Sequence, residues 1–208
     1  GLLGSVSSPT GGDGSYQYQW QYSTNGTTGW TNVSGAVSAT YDPPALTSST
    51  WYRRLAISCG ETKETTSVKV TVRASLNPGS INGVQTVCYN GDPTVLGNAA
   101  SPSNGNGSYT YQWQISSNNS TWSNISGATS NTYDPPSGLV ADTWYRRVAT
   151  SCGETKNSAS IKVSVNPSLN PGSINGVQTV CYNGDPSTLG NTASPSNGNG
   201  SYTYQWQI

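Results

Sequence analysis

Residues Leu76–Ile115 and Leu169–Ile208 align without a gap and differ at three of forty positions, Thr94/Ser187, Val95/Thr188 and Ala99/Thr192. Trp20, Trp113 and Trp206 recur at intervals of 93 residues, and the pairs Cys59/Cys152 and Cys88/Cys181 keep the same spacing. Two one-residue length changes, between Trp20 and Trp30 and between Pro44 and Trp51, fall where Gly, Ser, Asn and Thr cluster, as loop insertions do. A unit of this size is too long for a helical or leucine-rich solenoid and suits a β-sandwich of roughly 100 residues. The chain therefore divides into residues 1–74, a repeat lacking its N-terminal strands, residues 75–167, a complete repeat, and residues 168–208, the N-terminal part of a third. Opening in mid-repeat and stopping inside a strand pattern, it is expected to be a window on a longer array.

Within the complete repeat no segment carries an apolar stripe at helical spacing, whereas alternation with period two recurs. Tyr109, Tyr111, Trp113 and Ile115 fall on one face of a strand, and Thr110, Gln112 and Gln114 on the other. Tyr111 and Trp113 are assigned to the core, together with their counterparts Tyr18 and Trp20 and Tyr204 and Trp206. Further strands are expected around Trp122 and Ile125, up to the Tyr133-Asp134-Pro135-Pro136 break, over Trp144–Thr150, over Ala159–Val165, near Val84–Cys88 and near Thr94–Asn98. The paired prolines mark a strand end because they cannot continue a ladder. About seven short strands, with turn signals roughly every ten residues, predict an all-β fold of tandem immunoglobulin-like β-sandwich domains in an extended array. The linker Asn166–Gly172 carries two prolines, which favours semi-rigid spacing of the repeats.

Only 32% of residues are hydrophobic and 9% charged, yet the chain holds 13 Tyr and 7 Trp. Disordered segments are poor in aromatics, so this composition predicts small folded cores. Nine Lys and Arg balance nine Asp and Glu, which argues against nucleic acid or an anionic membrane surface as partner. No run is long and apolar enough to span a bilayer. The chain has no His, so the commonest general base is missing. Without His or a C-x-x-C pattern no zinc site is expected. Asp92, Asp134, Asp142 and Glu154 sit in turn sequences, where short acidic side chains bond nearby backbone. Asp92 and Asp185, near the linkers, offer too few oxygens for calcium. The reading is a non-catalytic chain with no catalytic, cofactor-binding or metal-binding residue and no cofactor.

Two cysteines per repeat suit disulfides in an oxidising compartment. Two pairings are open. Cys88 with Cys152, 64 residues apart and flanking Trp113, would keep each repeat self-contained and leave Cys59 and Cys181 with partners outside the chain. Closing that loop would contribute about 3–4 kcal/mol. Cys59 with Cys88 and Cys152 with Cys181, each 29 residues apart, would instead staple neighbours. The self-contained scheme is preferred. Among the remaining residues, Trp30 and Trp122 follow polar hairpins and are candidate surface-binding aromatics for sugars. Arg146 and Arg147, like Arg53 and Arg54, point to opposite faces of a strand and are expected to pair with Gln, Asp or Tyr on the outer sheet.

The string Ser108-Tyr109-Thr110-Tyr111-Gln112-Trp113-Gln114, then Trp122, Ile125-Ser126-Gly127-Ala128-Thr129, Tyr133-Asp134-Pro135-Pro136 and Thr143-Trp144-Tyr145-Arg146-Arg147-Val148, resembles the immunoglobulin-like or PKD-like repeats of giant Bacteroidota cell-surface proteins. The string is similar to the repeats of gliding-motility adhesins of the SprB type. The resemblance implies type IX secretion, an extracellular location at the outer membrane surface, and a role in attachment or gliding. It also implies extracellular surfaces or polysaccharide, and the secretion and motility machinery of the outer membrane, as partners. Structural spacer repeats of a large secreted enzyme and a carbohydrate-binding module array are the alternatives.

Overall fold

The computed structural model describes residues 1–208 as two compact units, Gly1–Ala74 and Ser75–Ile208. All regular structure is β. In the first unit β1 (Gln17–Ser23), β2 (Thr31–Asn32), β3 (Thr50–Ser58), β4 (Glu61–Glu64) and β5 (Val68–Val70) form one sheet in the order β2-β1-β3-β4, with β5 also on β3. Trp20, Ala36 and Tyr52 form its core.

The complete repeat repeats this sheet and adds to it. Its strands are β6 (Ser80–Asn82), β7 (Gln85–Val87), β8 (Gly97–Ala100), β9 (Thr110–Ser116), β10 (Ser123–Asn124), β11 (Thr143–Ser151), β12 (Glu154–Asn157) and β13 (Ile161–Val165). The main sheet runs β10-β9-β11-β13-β7, with β12 also on β11. All its pairings are antiparallel except β13 with β7, where Val163, Ser164 and Val165 lie opposite Gln85, Thr86 and Val87. The second layer is the β6–β8 pair, extended by single bridges of Leu96 to Tyr133 and Gly91 to Leu139. The third repeat's opening contributes the pair β14 (Ser173–Asn175) and β15 (Gly190–Ala193), the counterparts of β6 and β8.

Period-two alternation sorts the side chains. On β11, Tyr145, Arg147, Ala149 and Ser151 are buried, and the residues between them are half-buried. Trp113 on β9 is fully buried with Ile81, Leu96, Tyr145, Ile161 and Val163. Its indole Nε1 donates to the Ser130 carbonyl at 2.9 Å, so the polar edge of the ring is satisfied inside the core. Tyr133 stands between Trp113 and Tyr145, 5.8 Å from each ring centre. Burial pushes the Tyr145 phenol up to about 12, with the Tyr133 phenol adding to the effect. Tyr111 is half-buried rather than fully enclosed. Tyr204 and Trp206 are 70% and 61% exposed, because the segment that corresponds to β9 has no neighbouring β11 equivalent among these residues and forms no strand.

The chain enters and leaves the complete repeat at opposite poles. At the proximal pole, where β11 ends, the Glu154 carboxylate accepts bonds from the Ser75 hydroxyl at 2.6 Å and the Leu76 N–H at 2.7 Å. At the distal pole, where β11 begins, the Asn166 N–H donates to the Val87 carbonyl at 2.9 Å and the Val165 N–H to Asp142 at 2.8 Å. Bonds from Ser75, Leu76 and Lys156 hold the Glu154 carboxyl down from its ordinary 4.5 to about 2. A depressed carboxyl stabilises the fold fully above the unfolded value and loses that contribution as pH falls through the folded one. Anchoring of the linker is therefore expected to weaken between about pH 4.5 and pH 2. Glu154→Gln should flatten that part of the acid-unfolding curve; a curve unchanged by the substitution would show that the contact contributes nothing.

The poles overturn the self-contained disulfide. All four cysteines are free and exposed. Cys152 lies in the turn after β11, with φ of +54°. Cys88 follows β7 at the other end of the sheet. The residues of β11 between them span about 27 Å at 3.3–3.4 Å per residue, whereas a disulfide needs Cα atoms within about 7 Å. The Cys152–Cys181 staple meets the same obstacle, since Cys181 belongs to the repeat that follows the distal pole.

Candidate functional site

The outward face of the main sheet carries the most distinctive chemistry. Asn124, Gln114 and Arg146 lie directly opposite one another on β10, β9 and β11. Gln114 donates from Nε2 to Asn124 at 2.8 Å and accepts at Oε1 from Arg146 Nε at 2.7 Å. This relay holds the guanidinium 4.4 Å over the Trp122 ring. Two residues away on the same face Trp144 pairs with Lys162 across β11 and β13, the ammonium 5.1 Å from the indole centre. Lys162 also reaches Asp142 at 2.6 Å. That contact, followed by the bond from the Val165 N–H, holds the Asp142 carboxyl low.

The first unit carries the same arrangement. Gln21 bonds Asn32 at 2.8 Å and Arg53 at 2.8 Å; Arg53 lies 4.4 Å over Trp30, and Lys69 lies 4.3 Å over Trp51. The two faces differ in their ion pairs: Lys162 is held by Asp142, where the first unit has Ser49. Arg53 is neutralised by Glu64 at 2.7 Å, but the corresponding position on β12 is Asn157. Arg146 therefore has no carboxylate partner, and its charge is balanced only by the amide relay and the indole. Partial burial lowers its pKa. Trp30 and Trp122, the aromatics singled out from sequence, are half-buried, each with one ring face under a guanidinium. Such a surface suits hydrogen-bonding, sugar-stacking or anionic ligands.

Arg147 corrects the expectation that both arginines lie on the outer sheet. It is fully buried, its guanidinium 4.9 Å from the Tyr111 ring. It donates to Asn98 at 2.7 Å and to the carbonyls of Asn131 at 2.9 Å and Pro78 at 3.3 Å. Alternation from Tyr145, an obvious core residue, already places Arg147 inside. The signal was in the sequence but was masked by the presumption that charge faces water.

Two of the acids singled out from sequence are tied into structure, while Asp92, Asp134 and Asp185 are exposed. Glu154 anchors the linker and Asp142 holds Lys162 and the Val165 N–H. No three His, Cys, Asp or Glu side chains gather where they could hold a metal ion.

An all-β repeat domain whose outer sheet face is a cation–indole ladder is the class that the fold and this surface define. The chain belongs to the family described as Domain of unknown function (DUF8696), whose model matches residues 4–74 and again residues 77–167. No curated protein matches it.

Proposed function

We propose that this chain is part of a repetitive, non-catalytic stalk or adhesin displayed outside the cell, exported by the type IX route and serving attachment or gliding. The observation that carries the reading is the pair of opposite poles. A domain entered at Ser75–Leu76 and left at Asn166, at opposite ends of β11, is built for head-to-tail stringing. Repetition would then multiply weak surface contacts through effective concentration. The resemblance of the motif string to gliding-adhesin repeats supports the cellular side of the reading.

The ladder is the contact surface this reading assigns, with extracellular polysaccharide as ligand. It favours acidic polysaccharide, because Arg146 offers an unpaired charge beside a partly exposed indole. Beads coated with the chain are expected to be retained on an acidic polysaccharide layer, with retention falling as salt screens the guanidinium. Trp122→Ala and Arg146→Ala should each reduce retention several-fold without changing the fold. Retention no better than that of beads coated with an inert protein would reduce the chain to a spacer. Antibodies raised against the chain should label intact cells; labelling only after lysis would defeat the surface location.

A further inference from the structure

Cys88, kept far from Cys152 within one domain, lines a cleft against the opening of the next repeat. In the first unit the turn after β3 packs on Asp13. The Ser58 hydroxyl donates to the Asp13 carboxylate at 2.9 Å, and Cys59 follows Ser58 directly in that turn. In the complete repeat Asn106 replaces Asp13 and bonds the Ser151 hydroxyl at 2.8 Å, again beside the following cysteine, Cys152. Gly105, at φ +60°, lets the turn approach so closely that a Cβ there would collide with the Ser151 hydroxyl. The position beside Asp13 and Asn106 is thus the seat of the Ser-Cys-Gly turn of the same repeat.

The third repeat has the seat already formed. Asn199 occupies the position of Asp13 and Asn106. It accepts the Ser201 N–H at 3.0 Å, as Asn106 accepts Ser108 and Asp13 accepts Ser15, both at 2.9 Å. The Tyr202 hydroxyl donates to Asn197, as Tyr109 does to Asn104 and Tyr16 to Gly11. Gly198 and Asn199 line an open cleft of about 370 Å³ whose opposite wall is Cys88, Tyr89 and the linker residues Pro167–Leu169. That volume is within the range of ligand pockets. The register instead fills the cleft with protein, because in the complete repeat the same seat is occupied by Ser151-Cys152.

We propose that, where one complete repeat follows another, Cys88 of the first forms a disulfide with the Cys152-type cysteine of the second across this cleft. This is neither of the pairings that sequence spacing suggests. Both thiols border the same Asn199-type residue, one from the distal pole below and one from the turn seated above. The two thiols lose two protons and two electrons as the S–S bond forms, and a disulfide-form oxidant such as oxidised glutathione takes up those electrons and is reduced to two thiols. Every junction would be stapled covalently, independently of whether the array is adhesive or a spacer.

The test extends the 208-residue chain past Ile208 with a copy of Ser116–Pro167, which completes the third repeat. After incubation with oxidised glutathione, two of the five thiols should disappear, and non-reducing peptide mapping should join Cys88 to the appended copy of Cys152. Cys88→Ser in the extended chain should leave all its thiols unlinked, and so should the unextended chain. Trp206 should take the place of Trp113, with its emission shifting to the blue. A red, solvent-exposed Trp206 would refute the register and the proposal with it. Cys88 remaining free or capped by glutathione, or linked to Cys152, would also overturn it.

Discussion

Trp113→Ala is expected to destabilise the complete repeat by about 3–5 kcal/mol, the range for deleting a large aromatic from a packed core. Small domains are stable by only about 5–15 kcal/mol, so this is enough to leave the repeat marginal. The indole is fully enclosed, bonds the Ser130 carbonyl and packs on Tyr133. The chain contains its own control. Trp206 sits in the same local sequence, Tyr-Thr-Tyr-Gln-Trp-Gln-Ile, but is 61% exposed. Trp206→Ala should change stability by no more than about 0.5 kcal/mol, as surface substitutions do. Urea melts followed by circular dichroism of the two variants would read the difference. Equal effects would mean that identical local sequence, not tertiary enclosure, sets the stability at these positions.

That contrast also marks what local sequence could and could not reveal. The strands of the complete repeat were legible because alternation is local: Tyr111, Trp113 and Ile115 against Gln112 and Gln114, and the Pro135-Pro136 stop. The aromatic core at Trp20 and Trp113 followed directly. Pairing partners were not legible, because nothing in Gln85–Val87 announces that it will lie parallel to Ile161–Val165. The self-contained disulfide failed for the same reason. A Cys…Trp…Cys order says nothing about which pole each cysteine occupies, and only the registers of β11, β13 and β7 separate Cys88 from Cys152. The surface site was half legible. Trp30 and Trp122 stood out as hairpin aromatics, but the Asn–Gln–Arg relay that positions a cation over each depends on cross-strand register.

Arg147→Ala is expected to destabilise the complete repeat by about 3 kcal/mol. A buried guanidinium is expensive to desolvate, and replacing one with an apolar residue is neutral or even favourable in some proteins. Three features decide the sign here. Arg147 joins Asn98 on β8, Asn131 in the loop before Tyr133 and Pro78 before β6, so one side chain ties the main sheet to the second layer. Each charge-assisted bond contributes about 1.5–3 kcal/mol, and all three acceptors would lose their donor. The Tyr111 ring over the guanidinium loses its cation as well. Arg147→Lys should recover only part of the loss, because an ammonium cannot span diverging acceptors as the planar fork does. Arg147→Met separates packing from charge, since it refills most of the volume with no donor. The urea midpoints should rank wild type above Lys, and Lys above both Met and Ala. A methionine variant that melts at or above the wild-type midpoint would show that desolvation outweighs the three bonds and that Arg147 is kept for something other than stability.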